Sequence, residues 1–122
     1  MAWNNELGKW GEEVAARYLT DKGYYIRDKD WKHGHRDLDI IAIYNDELVI
    51  VEVKTRKHDK FGDPEDAVDA KKIRSIRIAA NAYIKMFKID YHVRFDVIAI
   101  TGTEDNGYNI NHIENAFKAM FY

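Results

Sequence analysis

The segment DLDIIAIYNDELVIVEVK, residues 37–54, decides the fold because it holds two apolar runs separated by a short polar turn. Residues 38–44 and 48–53 are rich in aliphatic and β-branched side chains, and residues 45–47 between them are Asn-Asp-Glu. Two such runs on either side of a tight turn are typical of an antiparallel hairpin. We therefore predict two paired strands, and the aliphatic neighbours within the second strand indicate that it is central in its sheet.

A helix and an edge strand are predicted before this hairpin. Residues 5–22 carry apolar side chains at helical spacing, and Gly23 can end the helix in a left-handed conformation. Residues 24–31 are strand-like but half polar, as expected of a strand at the edge of a sheet.

After the hairpin, a long helix, a strand and a short helix are predicted. The helix begins at the Asp-Pro-Glu-Asp of residues 63–66 and runs to about Phe87, since aspartate caps a helix and proline fits its first turn. Residues 93–100 form the strand, residues 106–107 form a turn, and Asn111 with Glu114 caps the short helix. The order predicts a mixed α/β domain around one small sheet.

The composition is that of a globular domain. The 122 residues are 46% hydrophobic and 33% charged, which excludes a disordered or low-complexity chain. Without cysteine, disulfide scaffolds, thiol nucleophiles and zinc ribbons are excluded. The formal charge is −2, so a polyanion must be met by a local basic patch. We expect one domain over residues 1–122, cytoplasmic and away from membranes, because no apolar run approaches the roughly 18 residues of a membrane span.

Charged side chains lie inside the two strands of the predicted hairpin. Glu52 and Lys54 alternate with valines and so share one face of the second strand. Asp39 begins the first strand, and hairpin pairing brings it near Glu52. A buried acid is costly unless it is paired or holds a cation. Two interpretations are open at this point, a salt bridge on a solvated sheet face and a metal site.

Metal-dependent cleavage of a phosphodiester needs this set of side chains. Two carboxylates hold a hard divalent cation, usually Mg²⁺. The cation lowers the pKa of a bound water and neutralises charge in the transition state. A neighbouring lysine can orient the nucleophile or stabilise that charge. Asp39, Glu52 and Lys54 are therefore candidate catalytic residues, with Mg²⁺ or Mn²⁺ as the cofactor.

The chain resembles a known family along most of its length. Asp39 followed by Glu52-Val53-Lys54 is similar to the PD-(D/E)xK nuclease signature, and the chain more closely resembles the YraN-like family of predicted endonucleases. The matching motifs are Gly11-Glu12-Glu13-Val14-Ala15, Asp37-Leu38-Asp39-Ile40-Ile41, Val51-Glu52-Val53-Lys54-Thr55-Arg56, Phe61-Gly62, Lys72 and Arg94-Phe95-Asp96-Val97. The resemblance implies a restriction-endonuclease-like α/β fold, similar to that of Holliday-junction resolvases, with a small mixed central sheet flanked by helices.

The resemblance also implies roles for single residues. Asp39, Glu52 and Glu12 stand at the positions of metal ligands and catalytic acids, and Lys54 stands at that of the catalytic lysine. Glu12 is also open to interpretation as a solvated helix residue, although helical spacing puts it near the face packed on the sheet. Asp37 is a candidate to hold these ligands in place, to bind a second metal, or to pair with the adjacent arginine.

A basic segment follows the predicted site. Residues 54–77 hold eight Lys or Arg against five Asp or Glu, a local charge of +3. Contacts to phosphates supply most of the sequence-independent affinity for nucleic acid, so this segment predicts a DNA-binding patch. Its principal members are Arg56, Lys57, Lys60 and Lys72. A solvated helix face is the competing interpretation.

Two further groups have simpler interpretations. His33 and His35 are predicted to be surface loop residues, since no other ligand lies near them at a familiar spacing. Arg94 and Asp96 share a strand face and are predicted to pair with each other.

The predicted function is Mg²⁺-dependent endonucleolytic cleavage of DNA. The similarity to resolvases implies branched or repair intermediates as substrates and a homodimer, by analogy of fold. The alternative is a nucleic-acid-binding or assembly module that has the nuclease fold but no useful turnover. A small-molecule enzyme is disfavoured, because the sequence has no glycine-rich phosphate loop, no catalytic triad and no cofactor motif.

Overall fold

The five strands of the protein form a single mixed sheet. The computed structural model describes residues 2–58 and 68–118. Its elements are α1 (Ala2–Asp21), β1 (Tyr25–His33), β2 (Arg36–Tyr44), β3 (Glu47–Arg56), α2 (Ala70–Met86), β4 (His92–Thr103) and β5 (Gly107–Phe117). The strands lie in the order in which they occur along the chain, so β3 is the middle strand. All neighbours are antiparallel except β3 and β4, which are parallel and are connected through α2. The predicted α/β class is confirmed.

The predicted hairpin at the centre of the sheet is confirmed. β2 and β3 pair as antiparallel strands up to Tyr44 and Glu47. Asn45 and Asp46 form the turn between them, with φ values of 49° and 62°. Positive φ at both central residues matches the twist of the strands, and asparagine and aspartate tolerate this conformation better than most residues. The local sequence therefore determines the register of the two strands that carry the candidate site.

Each helix covers one face of the sheet. The core beneath α1 contains Ile40, Ala42, Val49, Val51, Ile98 and Ile100, packed on Val14, Ala15, Ala16 and Leu19. The core beneath α2 contains Leu38, Ile41, Leu48, Ile50 and Phe95, packed on Ile76, Ala79, Ala80 and Tyr83. A strand covered on both faces needs apolar residues at successive positions, which explains the continuous apolar run in β3. Neither of these two helices has the length and apolarity that would let it cross a membrane.

The second helix begins later than the sequence predicts. α2 begins at Ala70, and the carboxylate of Asp69 caps it by accepting a hydrogen bond of 2.8 Å from the backbone N–H of Lys72. The predicted start at residues 63–66 lies outside the described residues. At the other end, the helix ends at Met86, close to the predicted end, and Phe87 after it is 42% exposed. The cap at Asp69 fixes the first turn of α2 and with it the position of Lys72.

The prediction of a final short helix is wrong. Residues 107–117 form β5, which pairs with β4 as an antiparallel strand. Asn111 and Glu114 therefore lie within a strand, and Asn111 is the cross-strand partner of Ala99. The predicted turn before β5 does form, and this turn returns the chain directly along β4. Without β5, the outer side of β4 would be an edge with unpaired backbone groups. Pairing with β4 outweighs the local capping pattern.

Candidate functional site

Asp39 lies at the point where β2 and β3 stop pairing. The last backbone pair of the two strands joins Ile40 and Val51. One residue further, Oδ2 of Asp39 accepts a hydrogen bond of 2.8 Å from the backbone N–H of Val53. A buried backbone N–H needs an acceptor, and here a side chain replaces the partner strand. The carboxyl group of Asp39 is thereby held between the strands at the open end of the hairpin.

Asp39 and Glu52 form a hydrogen-bonded pair of carboxyl groups, here called the acid pair. Glu52 is only 5% exposed, and burial followed by the charge of Asp39 raises the pKa of Glu52 to about 8. Burial also raises the pKa of Asp39. Because the pKa of Glu52 lies above neutral pH, the acid pair retains a proton there. The proximity of the two acids, which the sequence predicted, is confirmed.

Helix α1 brings a third acid towards the acid pair. Gly11 lies so close to β3 that a Cβ atom at this position would overlap Oγ1 of Thr55. Glycine is therefore required for the close approach of helix and strand. The next residue, Glu12, is partly buried. Burial first, and then the charge of Asp39 and of two further aspartates, raises the pKa of Glu12 to about 7. Glu12 thus lies in the electrostatic field of the acid pair.

Two lysines act on the acid pair from different elements. Nζ of Lys72 on α2 lies 3.7 Å from Oε2 of Glu52 and 3.8 Å from Oδ1 of Asp37. Lys54, two residues after Glu52 on β3, lowers the pKa of Glu52 through its charge. Lys72 was predicted to belong to the DNA-binding patch. The structure places its ammonium group within 3.8 Å of two carboxylates.

Asp37 connects the acid pair to the edge strand. It is the cross-strand partner of Lys32 on β1, and Nζ of Lys32 lies 3.4 Å from its Oδ2. The same Nζ lies 2.8 Å from Oδ1 of Asp30. With Lys72 on its other side, Asp37 contacts β1 and α2 at once. This position suits a residue that holds its neighbours in place.

The donor set of the site is suited to a hard cation. Asp39 and Glu52 offer carboxylate oxygens, the ligands that Mg²⁺ and Mn²⁺ prefer in proteins. Over residues 2–58 and 68–118, no three Asp, Glu, His or Cys side chains are gathered into a ready metal-binding group. Two of the three predicted ligands are therefore direct neighbours, and Glu12 acts on them through its charge.

The predicted DNA-binding residues lie in different parts of the structure. Arg56 is the last residue of β3, Lys57 is exposed immediately after it, and Lys60 lies outside the described residues. Nη1 of Arg56 and Nε of Arg36 are buried N–H groups without a hydrogen-bond partner in the described structure. A buried donor without an acceptor is costly, so neither guanidinium group is fully satisfied by the described residues. Arg36 was not among the predicted binding residues.

A second buried network lies on the α1 face of the sheet. Arg94 donates two hydrogen bonds to Asp96, at 2.9 and 2.8 Å, which confirms their predicted pairing. Nε2 of His112 on β5 lies 2.7 Å from Oδ2 of Asp96. Burial alone would raise the pKa of Asp96. Hydrogen bonds from His112 and Arg94 outweigh this effect and hold the pKa of Asp96 below its usual value. His112 was not predicted to take part, because its role depends on β5 being a strand.

The two histidines of the β1–β2 turn are exposed, as predicted. His33 and His35 lie at the tip of this hairpin on either side of Gly34. The ring of His33 stacks on Trp31, with ring centroids 6.1 Å apart and an interplanar angle of 3°. These side chains therefore form a separate surface feature beside the acids.

Comparison with known proteins gives the chain a family. The profile of the Uncharacterised protein family UPF0102 matches residues 11–100, a range that includes Glu12, the acid pair and both lysines. A UPF0102 protein of Phocaeicola vulgatus is 54% identical over 96% of both chains, and one of Bacteroides thetaiotaomicron is 52% identical over the same share. A UPF0102 protein of Porphyromonas gingivalis is 47% identical over 98% of this chain and 90% of its own length. The chain therefore belongs to the UPF0102 family, the YraN-like family that its motifs resemble.

Proposed function

We propose that the protein is a metal-dependent endonuclease of the PD-(D/E)xK class that cleaves DNA with Mg²⁺ or Mn²⁺. The observation that carries the proposal is the acid pair at the open end of the central hairpin, with Lys54 beyond it on the same strand face. A restriction-endonuclease-like assignment of the α/β fold is part of this proposal. Branched or repair DNA as the substrate and a homodimer as the active form extend it, by analogy with resolvases.

The chain's own residues would hold the cation and orient the substrate. Asp39 and Glu52 would be direct ligands, with Glu12 as the third. When bound, the cation supplies a water of lowered pKa and neutralises charge on the phosphate. The hydrogen bond from Val53 fixes the orientation of Asp39. Glu52 carries a proton at neutral pH, and this proton must leave before its carboxylate can bind a cation.

Lys54 and the arginines would act on the phosphate. Lys54 follows Glu52 on the same face of β3, so its ammonium group is available to a phosphate oxygen whose charge increases in the transition state. The guanidinium groups of Arg36 and Arg56 would bind neighbouring phosphates, because guanidinium groups hold phosphate oxygens in a fixed geometry.

The second candidate is a nucleic-acid-binding or assembly module without useful turnover. It is favoured by the position of Lys72, whose ammonium group lies within 3.8 Å of carboxylates that would have to hold a cation. Such a protein would use the same basic residues for binding and would keep its acids neutralised by lysine.

The test measures cleavage of linear, single-stranded and four-way-junction DNA with millimolar Mg²⁺ or Mn²⁺, and with chelator as the blank. We expect cleavage by the wild type and its loss in Asp39→Asn. Glu13→Gln is the matched control, since Glu13 is the exposed neighbour of Glu12. DNA binding without cleavage of any substrate would support the second candidate, and the absence of both would reject the two together.

A further inference from the structure

The ammonium group of Lys72 lies between two acidic side chains of the site. Its Nζ is 3.7 Å from Oε2 of Glu52 and 3.8 Å from Oδ1 of Asp37. These distances are within ion-pair range, but they exceed the length of a good hydrogen bond. Lys72 is therefore attracted to both carboxyl groups by charge without being locked to either one.

Burial differs strongly between the partners. The side chain of Glu52 is 5% exposed, whereas that of Lys72 is 35% exposed. The ammonium group therefore approaches the buried acid from the solvent side. Its charge lowers the pKa of both members of the acid pair. Lys72 thus supplies at this position the positive charge that a bound cation would supply.

The attachment of Lys72 lets its side chain move while its backbone stays fixed. The N–H of Lys72 is held by the cap at Asp69, in the first turn of α2. Beyond the backbone, a lysine has a flexible stem of four carbons, and its strongly hydrated ammonium group returns easily to water. A divalent cation has twice the charge and binds the same carboxylate oxygens directly.

We propose that Lys72 is a built-in counter-ion, which balances the negative charge of Asp37 and of the acid pair in the metal-free protein and is displaced when a divalent cation binds. The inference rests on the proposed function only in that it requires the acid pair to bind such a cation. Lysine and cation then compete for the same carboxylates. The affinity of the site for metal is set partly by this residue, which is not itself a ligand.

Two substitutions with opposite effects test the competition. Lys72→Met keeps a stem of similar length and removes the charge, so Mn²⁺ should bind about three- to tenfold more tightly. Lys72→Arg places a guanidinium group that holds carboxylates more firmly, so Mn²⁺ should bind more weakly than to the wild type. Lys71→Met, at the exposed neighbouring position, is the matched control and should bind as the wild type does.

The measurement is calorimetric titration of Mn²⁺ into each folded variant at pH 8, with thermal melts in chelator to check folding. If Lys72→Met binds Mn²⁺ no more tightly than the wild type, or if Lys71→Met gains as much, the counter-ion role is rejected while the nuclease proposal stands. If neither the wild type nor any variant binds Mn²⁺, both proposals are rejected. Should Lys72→Met fail to fold, unchanged or tighter binding by Lys72→Arg overturns the inference on its own.

Discussion

The carboxylate of Asp39 accepts the backbone N–H of Val53 at 2.8 Å, so a side chain of β2 replaces the partner that the main chain of β2 no longer provides. This bond holds Asp39 beside Glu52, because Val53 is the next residue along β3. The candidate site is therefore built into the end of a sheet ladder, where the backbone geometry is set by the pairing on both sides of β3.

Two substitutions of Asp39 separate its structural from its electrostatic role. Asp39→Asn keeps an acceptor for the Val53 N–H and removes a charge next to Glu52. We expect this variant to melt at or above the wild-type temperature in chelator at pH 8, and to respond little to Mn²⁺. Asp39→Leu leaves the N–H unpartnered and should cost about 1–3 kcal/mol of stability. A simple salt-bridge cluster predicts instead that Asp39→Asn lowers the melting temperature and that Mn²⁺ stabilises neither protein.

The stability of the metal-free protein should fall as the pH rises. The pKa of Glu52 is 4.5 when unperturbed and about 8 in the folded protein, so the folded state binds more protons between these values. The contribution of Glu52 to the free energy of unfolding is therefore largest below about pH 4.5. This contribution is lost as the pH rises towards 8. Glu12 acts in the same direction, with a pKa raised to about 7.

Glu52→Gln should flatten this dependence, because the amide cannot ionise. Urea denaturation at pH 5 and pH 8 measures it, with Glu13→Gln as the exposed control. A wild-type protein that is equally stable at both pH values would show that the carboxyl group of Glu52 is solvated in solution.

The contact of Gly11 with Thr55 predicts a strong effect of one added methyl group. Gly11→Ala forces α1 away from β3 and should cost about 1–3 kcal/mol, as overpacking usually does. Gly8→Ala, on the same helix, meets no atom within 4 Å and should be neutral or stabilise by about 0.5–1 kcal/mol. Thr55→Ala removes the overlapping oxygen and should partly rescue Gly11→Ala in a double-mutant cycle. Additive effects of the two substitutions would place the strain elsewhere.

Lys54 is expected to act on the reaction more than on the binding of metal. Under the nuclease proposal, Lys54→Ala should reduce the cleavage rate by orders of magnitude, because its charge stabilises the transition state. Mn²⁺ affinity, measured by calorimetry, should change far less than in Glu52→Ala. Cleavage at the wild-type rate by Lys54→Ala would remove this lysine from the mechanism.

The basic residues at the end of β3 are expected to bind phosphates. Changing Arg56 and Lys57 together to glutamine should weaken binding of DNA about equally for all sequences. The slope of log affinity against log salt should decrease by about 0.9 for each lost contact to duplex DNA. Lys85, at the far end of α2, is the control position for the same change. An unchanged slope in the double variant would place the DNA surface elsewhere.

Features determined by neighbouring residues in the chain could be predicted from the sequence. The turn at residues 45–47, the central position of β3 and the pairing of Arg94 with Asp96 follow from local patterns and strand alternation. The proximity of Asp39 and Glu52 follows from the register of that hairpin.

Features that depend on how elements cross could not be predicted in the same way. The position of Lys72 depends on where α2 begins and on how it lies over the sheet, which the helical pattern does not specify. β5 was mistaken for a helix because a capping pattern of two polar residues is weaker than a full ladder with β4. The role of Gly11 appears only once α1 is packed on β3.

The central hairpin also has a consequence for the order in which the protein assembles. Asp39 and Glu52 come from strands joined by a two-residue turn, and hairpins of this kind close in roughly 1–10 μs. The parallel pairing of β3 with β4 needs the crossover through α2, and such non-local contacts form late. We therefore expect the two acids to meet before Lys72 reaches them, while water can still deliver a proton. We expect the slow final step of folding to be fastest in mildly acidic solution, where that proton is already in place.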